Sequence, residues 1–124
     1  MPALVGVSSI GVKVHGRAAD NTEGMSLKAQ WAMFADAYAA IGPHGAGLSN
    51  MIAMRRRAVV VEFILPGRND INLCYTSMAT KLGLTYRAVE PRSGWQDGPM
   101  EIDVASVVQV TVDALNASLP ALTS

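Results

Sequence analysis

One cysteine, Cys74, is all the chain has, so no disulfide can close within it, and a reducing compartment is compatible with that count. A lone cysteine and two histidines also offer no clustered ligand set, and no metal site is expected. Charge is scarce: 16% of the residues are Asp, Glu, Lys or Arg, and ten basic side chains balance ten acidic ones. A general polyanion binder carries a basic excess, so nucleic acid is not an expected partner. No apolar run approaches the ~20 residues that a membrane span requires. The N-terminal stretch MPALVGVSSIGVKVHG is apolar but has no basic segment before it, which makes it a poor secretory signal. The expected location is cytoplasmic, or the Golgi lumen if the chain is part of a longer eukaryotic protein.

What the chain does have is apolar substance. Half of its 124 residues are hydrophobic and none of it is low-complexity, so residues 1–124 read as a single globular domain. Residues 1–10 give no clear period. GVKVHG at 11–16 alternates Val12 and Val14 with Lys13 and His15 and reads as a strand; His15 is either a ligand or simply an exposed or hydrogen-bonded strand end. Residues 17–24 read as loop. Ser26 is a preferred N-cap for a helix reaching about Ala37, with Leu27, Trp31, Phe34 and Ala35 as its apolar face. YAAIG at 38–42 then reads as a buried strand of a parallel sheet. Leu48 to Met54 reads as a helix facing inward through Leu48, Met51, Ile52 and Met54. Arg55, Arg56 and Arg57 follow, either as a solvated helix end or as a phosphate-binding cluster.

AVVVEFIL at 58–65 is the clearest strand, β-branched and ended by Pro66-Gly67. Its one charge, Glu62, must be paired, near the strand's end or facing a ligand, since a lone buried carboxylate is expensive. Beyond a polar connection at 68–72, where Asn69 or Asp70 can cap, a helix runs to about Leu82. Its apolar side is Leu73, Met78, Ala79 and Leu82, and Gly83 stops it. Leu84–Val89 reads as a strand and 90–99 as a loop, in which Trp95 is either a lid or a surface residue. Met100–Ile102 reads as briefly extended. Asp103 caps a last helix facing inward through Val104, Val107, Val108, Thr111, Val112 and Leu115, and 119–124 reads as a tail. Strands and helices alternating in this way predict an α/β, Rossmann-like layered fold with a mostly parallel sheet.

In such sheets ligands sit beyond the C-terminal ends of the strands, where loops lead into helices. The stretch AIGPHGAGLSN at 40–50 lies at such a place. Gly45 and Gly47 permit close backbone approach or positive φ, and the helix N-terminus that follows favours a phosphate. His44 can hydrogen-bond that phosphate or move a proton, and Glu62 is placed to accept from sugar hydroxyls. Neither a P-loop nor a G-x-G-x-x-G fingerprint is present, and a tight turn that needs small residues is the plainer alternative.

MSLKAQWAMFADAYAAIGPHGAGLSNMIAM, then VVVEF, NLCYTSMATKLGLTY and EIDV, resemble the C-terminal part of glycosyltransferase family 61 over residues 25–115. That family includes plant xylan xylosyl- and arabinosyltransferases and animal O-linked N-acetylglucosamine transferases. The resemblance implies part of the C-terminal lobe of a GT-B type fold, which binds a nucleotide-sugar donor, usually a UDP-sugar, without a metal motif or cofactor. It places His44, Gly45, Ala46, Gly47 and Asn50 at the donor diphosphate and Glu62 at the ribose, with His44 as an electrostatic stabiliser. Where the family has a Pro-Gly turn, this chain has Arg55–Arg57. The resemblance further implies that a glycan or protein acceptor and the catalytic base belong to a second lobe outside these residues. The expectation is a fragment that binds donor, with weak or absent transfer alone. The alternative is a non-catalytic nucleotide-binding or interaction module of the same fold that forms a homodimer.

Overall fold

The computed structural model describes residues 26–64, 73–92 and 101–123. In chain order they form α1 (Leu27–Asp36), β1 (Ala39–Pro43), a 3-10 helix (Ala46–Ala53), β2 (Val59–Phe63), α2 (Cys74–Leu82), β3 (Thr85–Val89) and α3 (Val104–Thr123). The strands make one all-parallel sheet in the order β1-β2-β3. The fold is therefore α/β with a parallel sheet, as the alternating pattern predicts. The expected strand at 11–16 with His15, the loops at 17–24 and 93–99 with Trp95, and the caps Asn69 and Asp70 lie outside the described residues.

The centre of the sheet is β2, where Val59, Val60 and Val61 are all fully buried. Strand alternation puts Val60 and Glu62 on one face and Val59 and Val61 on the other. The register pairs Glu62 with Gly42 on one side and Ala88 on the other, and Val60 with Tyr86, so these residues share the first face. That face meets α2 and the 3-10 helix. The opposite face meets α3, where the Thr85 and Ser118 hydroxyls lie 3.0 Å apart.

Helix α1 starts as the sequence indicates: Ser26 Oγ accepts from the Ala29 N–H at 3.1 Å. Its apolar face is corrected. Phe34 is buried, but Leu27 and Trp31 are 58% and 44% exposed, and Ala35 is exposed too. The inward stripe is Gln30, Met33, Phe34 and Ala37, an equally good helical spacing rotated by about one residue. Gln30 fixes that rotation, since its Oε1 accepts from Asn50 Nδ2 at 3.0 Å on the 3-10 helix against which α1 packs.

The segment after the turn is a 3-10 helix and not an α-helix. Leu48 N–H bonds to Gly45 C=O at 3.0 Å and Met54 N–H to Met51 C=O at 2.9 Å, each three residues back. In this geometry side chains three apart eclipse. Leu48, Met51 and Met54 consequently form one buried column, while Ile52, expected inside, is 59% exposed.

Further along, α2 buries Tyr75 and Ala79, and Leu73 stands exposed at its N-cap. Gly83 ends the helix at φ 72°, a left-handed conformation that glycine adopts without strain. In α3, Val107, Thr111, Ala114, Leu115 and Ser118 face inward, whereas Val104 and Val108 are 68% and 38% exposed. Asp103 caps it as expected, accepting from the Ser106 and Ala105 backbone N–H groups, and also from Ser106 Oγ at 2.9 Å. The helix continues to Thr123 through Pro120, so the expected tail is part of the helix. No helix among the described residues is long and apolar enough to cross a membrane.

Candidate functional site

The turn leaves the sheet at Pro43. The His44 N–H donates to Phe63 C=O at 3.2 Å, which carries the β1–β2 ladder one residue past the strands. The histidine backbone is thereby held at the C-terminal end of the sheet. Two residues earlier, buried Gly42 faces Glu62 across the ladder, and a Cβ on it would meet nothing within 4 Å apart from its chain neighbours. A glycine here keeps the sheet face clear beside the carboxylate.

The Glu62 side chain is 1% exposed, and each oxygen has a protein partner. Oε2 lies 2.6 Å from His44 Nδ1, and Oε1 accepts from the Tyr86 hydroxyl. Tyr86 reaches it diagonally across the β2–β3 ladder, two positions before Ala88. The sequence requirement that Glu62 be paired is thus met twice over. Tyr75 adds a ring set edge-on to His44, with centroids 5.1 Å apart at 63°. Burial holds the Tyr86 phenol well above its ordinary 10, reinforced by its hydrogen bond to Glu62 and opposed by one from Thr76. Burial also raises Tyr75, followed by the charges of Cys74 and Glu62. Both phenols are neutral near pH 7, and Tyr86 remains a hydrogen-bond donor to the carboxylate.

An ionised carboxylate can only accept, so with Glu62 ionised the Nδ1–H form of His44 is the one that completes this bond. A carboxylate behind a histidine sets its tautomer and orientation and stabilises an imidazolium when one forms. The His44 side chain is 11% exposed, the outer end of a chain whose inner end is sealed.

The remaining predicted residues surround this point. Gly45 precedes the 3-10 helix at φ 169°, extended backbone, so the left-handed conformation allowed for it is not used. Ala46 and Gly47 form the first turn of that helix, where N–H groups have no acceptor within the helix. Asn50 lies deeper, 6% exposed and bonded to Gln30. The arginine triplet serves elsewhere. Arg55 stacks over the Tyr38 ring at 4.8 Å and reaches the Ala35 C=O at 3.4 Å, at the C-terminal end of α1. The Arg56 guanidinium lies against Gly83 at the end of α2, and Arg57, at φ 68°, donates its N–H to the Gly83 C=O at 2.8 Å. Cations at helix C-termini complement the helix dipole, here on neighbouring helices instead of their own. Among the described residues no three His, Cys, Asp or Glu side chains gather in a way that could hold a metal ion.

Residues 18–61 match the family model described as Glycosyltransferase 61. Over that segment the chain is similar to glycosyltransferase family 61. The match takes in α1, β1, the glycine-rich turn, the 3-10 helix and β2 up to Val61. His44, Gly45, Ala46, Gly47 and Asn50 lie inside the family 61 segment, and Glu62 is the next residue beyond it. No curated protein and no solved structure matches the chain.

Three contributors escaped the sequence reading: Tyr86, Tyr75 and Gln30. The available signal for Tyr86 was a polar-tipped residue in a short strand, LTYRAV, next to a strand with one buried charge. Its pairing with Glu62 depends on the register between β2 and β3, which no local pattern states.

Proposed function

We propose that the glycine-rich turn receives the diphosphate of a nucleotide-sugar, of the UDP-sugar class, and that the chain is the donor-binding part of a glycosyltransferase. The observation that carries this reading is the Tyr86–Glu62–His44 chain, which ends on the family 61 turn at the C-terminal edge of a parallel sheet. A buried carboxylate held by a phenol is an expensive feature that a simple tight turn does not need. Its use is to fix one imidazole where negative charge arrives and grows.

In this reading His44 and the N–H groups at the start of the 3-10 helix stabilise the diphosphate as the anomeric carbon–oxygen bond breaks. The acceptor oxygen forms the new bond to that carbon, and its proton goes to a base outside this site. Asn50 shapes the floor of the turn through Gln30. Glu62 acts on the donor through His44, and any ribose contact uses a lone pair beyond those engaged by His44 and Tyr86. A GT-B arrangement supplies the acceptor site, for a glycan or a protein, from a second lobe.

Calorimetric titration with UDP and UDP-sugars, on the wild type and on His44→Ala, tests the reading. The expected result is saturable binding that weakens roughly tenfold or more in the variant, the size of one hydrogen bond to a charged group. Absence of binding, or binding indifferent to His44, refutes it. A second reading, a non-catalytic module that pairs with its own kind, is favoured by Leu27 and Trp31, large apolar side chains exposed one turn apart on α1. Sedimentation velocity on Trp31→Lys decides it: a wild-type dimer that the variant dissolves supports that reading.

A further inference from the structure

Behind His44 the chain of hydrogen bonds does not stop at Glu62. We propose that Tyr86 is a positioning residue: by donating to Glu62 Oε1 it turns the carboxylate so that Oε2 accepts from His44, which fixes Nδ1 as the nitrogen that carries the proton in the neutral ring. The inference builds on the donor-site reading for its purpose, but the tautomer it assigns is a property of the protein without ligand.

The geometry is direct. Tyr86 and His44 approach opposite oxygens of one carboxylate that is 1% exposed, so no solvent competes to reorient it. The phenol keeps its proton across the working pH range, because burial and the Glu62 bond both oppose ionisation. Its oxygen already accepts from the Thr76 hydroxyl, so what it offers position 62 is the O–H, and the group there meets it best with an acceptor. Among the described residues, other groups facing this cluster include Tyr75 and, beside it, Cys74 on α2, together with Thr76, which bonds Tyr86. None of these takes the place of the phenol at Oε1.

That logic has a sharp consequence for Glu62→Gln. The new amide has one acceptor and one donor end. With Tyr86 present, the amide oxygen must face the phenol, the NH2 faces His44, and Nδ1 is forced to accept. The neutral ring then carries its proton on Nε2. In the double variant Glu62→Gln, Tyr86→Phe the amide is released to turn, and the Nδ1–H form returns in part. A residue that merely fills space would not move a proton from one ring nitrogen to the other.

The experiment is two-bond 1H–15N correlation on the ligand-free chain, above the pH at which the ring titrates, with the His44 ring assigned by its loss in His44→Ala. The expected results are Nδ1–H in the wild type, Nε2–H in Glu62→Gln, and a mixture in the double variant. An Nε2–H wild type, or a Glu62→Gln that keeps Nδ1–H, overturns the proposal. Tyr86→Phe alone, which preserves the ring packing, should lower UDP affinity roughly threefold to tenfold, part of the worth of the His44 hydrogen bond that Tyr86 supports indirectly. If the tautomers behave as stated while the wild type binds no UDP, the donor-site reading fails and the role of Tyr86 stands. If UDP binds and the tautomers do not respond, the reverse holds.

Discussion

Replacing His44 by alanine removes one of the two side-chain partners that a sealed carboxylate has among the described residues. Glu62 is 1% exposed, and after the change it keeps the Tyr86 hydroxyl as its partner among the described residues. Deleting a hydrogen-bond partner of a buried charge destabilises by about 2–5 kcal/mol, because the charge is left behind. Two features pull the figure to the low end here. The phenol still donates, and the His44 side chain, at 11% exposure, borders solvent, so water can enter where the ring stood. An effect of about 2–3 kcal/mol is expected. Against a total of roughly 5–15 kcal/mol the variant still folds. With a urea slope of roughly 1–3 kcal/mol/M, its midpoint falls by about 1–2 M. The assay is urea unfolding of the wild type, His44→Ala, Glu62→Gln and the double variant. Glu62→Gln should be less harmful on the His44→Ala background than on the wild type, since it then removes an orphaned charge. A stability within ~0.5 kcal/mol of wild type for His44→Ala, or two additive single effects, would refute the coupling of these residues.

Other consequences are measurable on the same chain. Met51→Ala, at a fully buried position in the 3-10 column, should lose about 2–5 kcal/mol in denaturant unfolding. Gly83→Ala must hold a left-handed φ of 72° with its methyl 3.2 Å from the Arg56 side chain, and a loss of about 1–2 kcal/mol is expected from thermal melts. The Asp103 carboxyl lies below its ordinary 3.8, chiefly through the Ser106 hydroxyl, with Arg92 adding to it. Its contribution is therefore present above that value and lost as pH falls through the folded one, so Asp103→Asn should flatten the acid limb of the stability curve. Tyr86 has the opposite sign. Its raised phenol contributes fully below pH 10 and loses that contribution as pH rises through the folded value, so Tyr86→Phe should flatten the alkaline limb.

The outcome at individual residues shows what the sequence made legible. Local chemistry was readable: the Ser26 and Asp103 caps, the Gly83 stop and the β-branched run of β2 each act through atoms a few residues apart. The strand-to-helix turn at 43–47 was readable for the same reason. Which side of a helix faces the core was not. α1 offers two stripes of equal spacing, and a Gln30–Asn50 hydrogen bond between separate elements selects the one without Trp31. The period of the segment after the turn was misread as 3.6 when its hydrogen bonds span three residues, which sent Ile52 outward. At the site, the need for a partner to Glu62 was legible from one charge in an apolar strand. The identity of Tyr86 was not, because it follows from parallel register across a crossover.

The most direct test of a diphosphate seat on the glycine-rich turn is backbone amide chemical-shift mapping of the 15N-labelled chain titrated with UDP. The expected result is saturable shifts concentrated at residues 44–50, with the His44 ring among the largest and α3 silent. Shifts that are absent, or that centre on α3 or the exposed side of α1, contradict it.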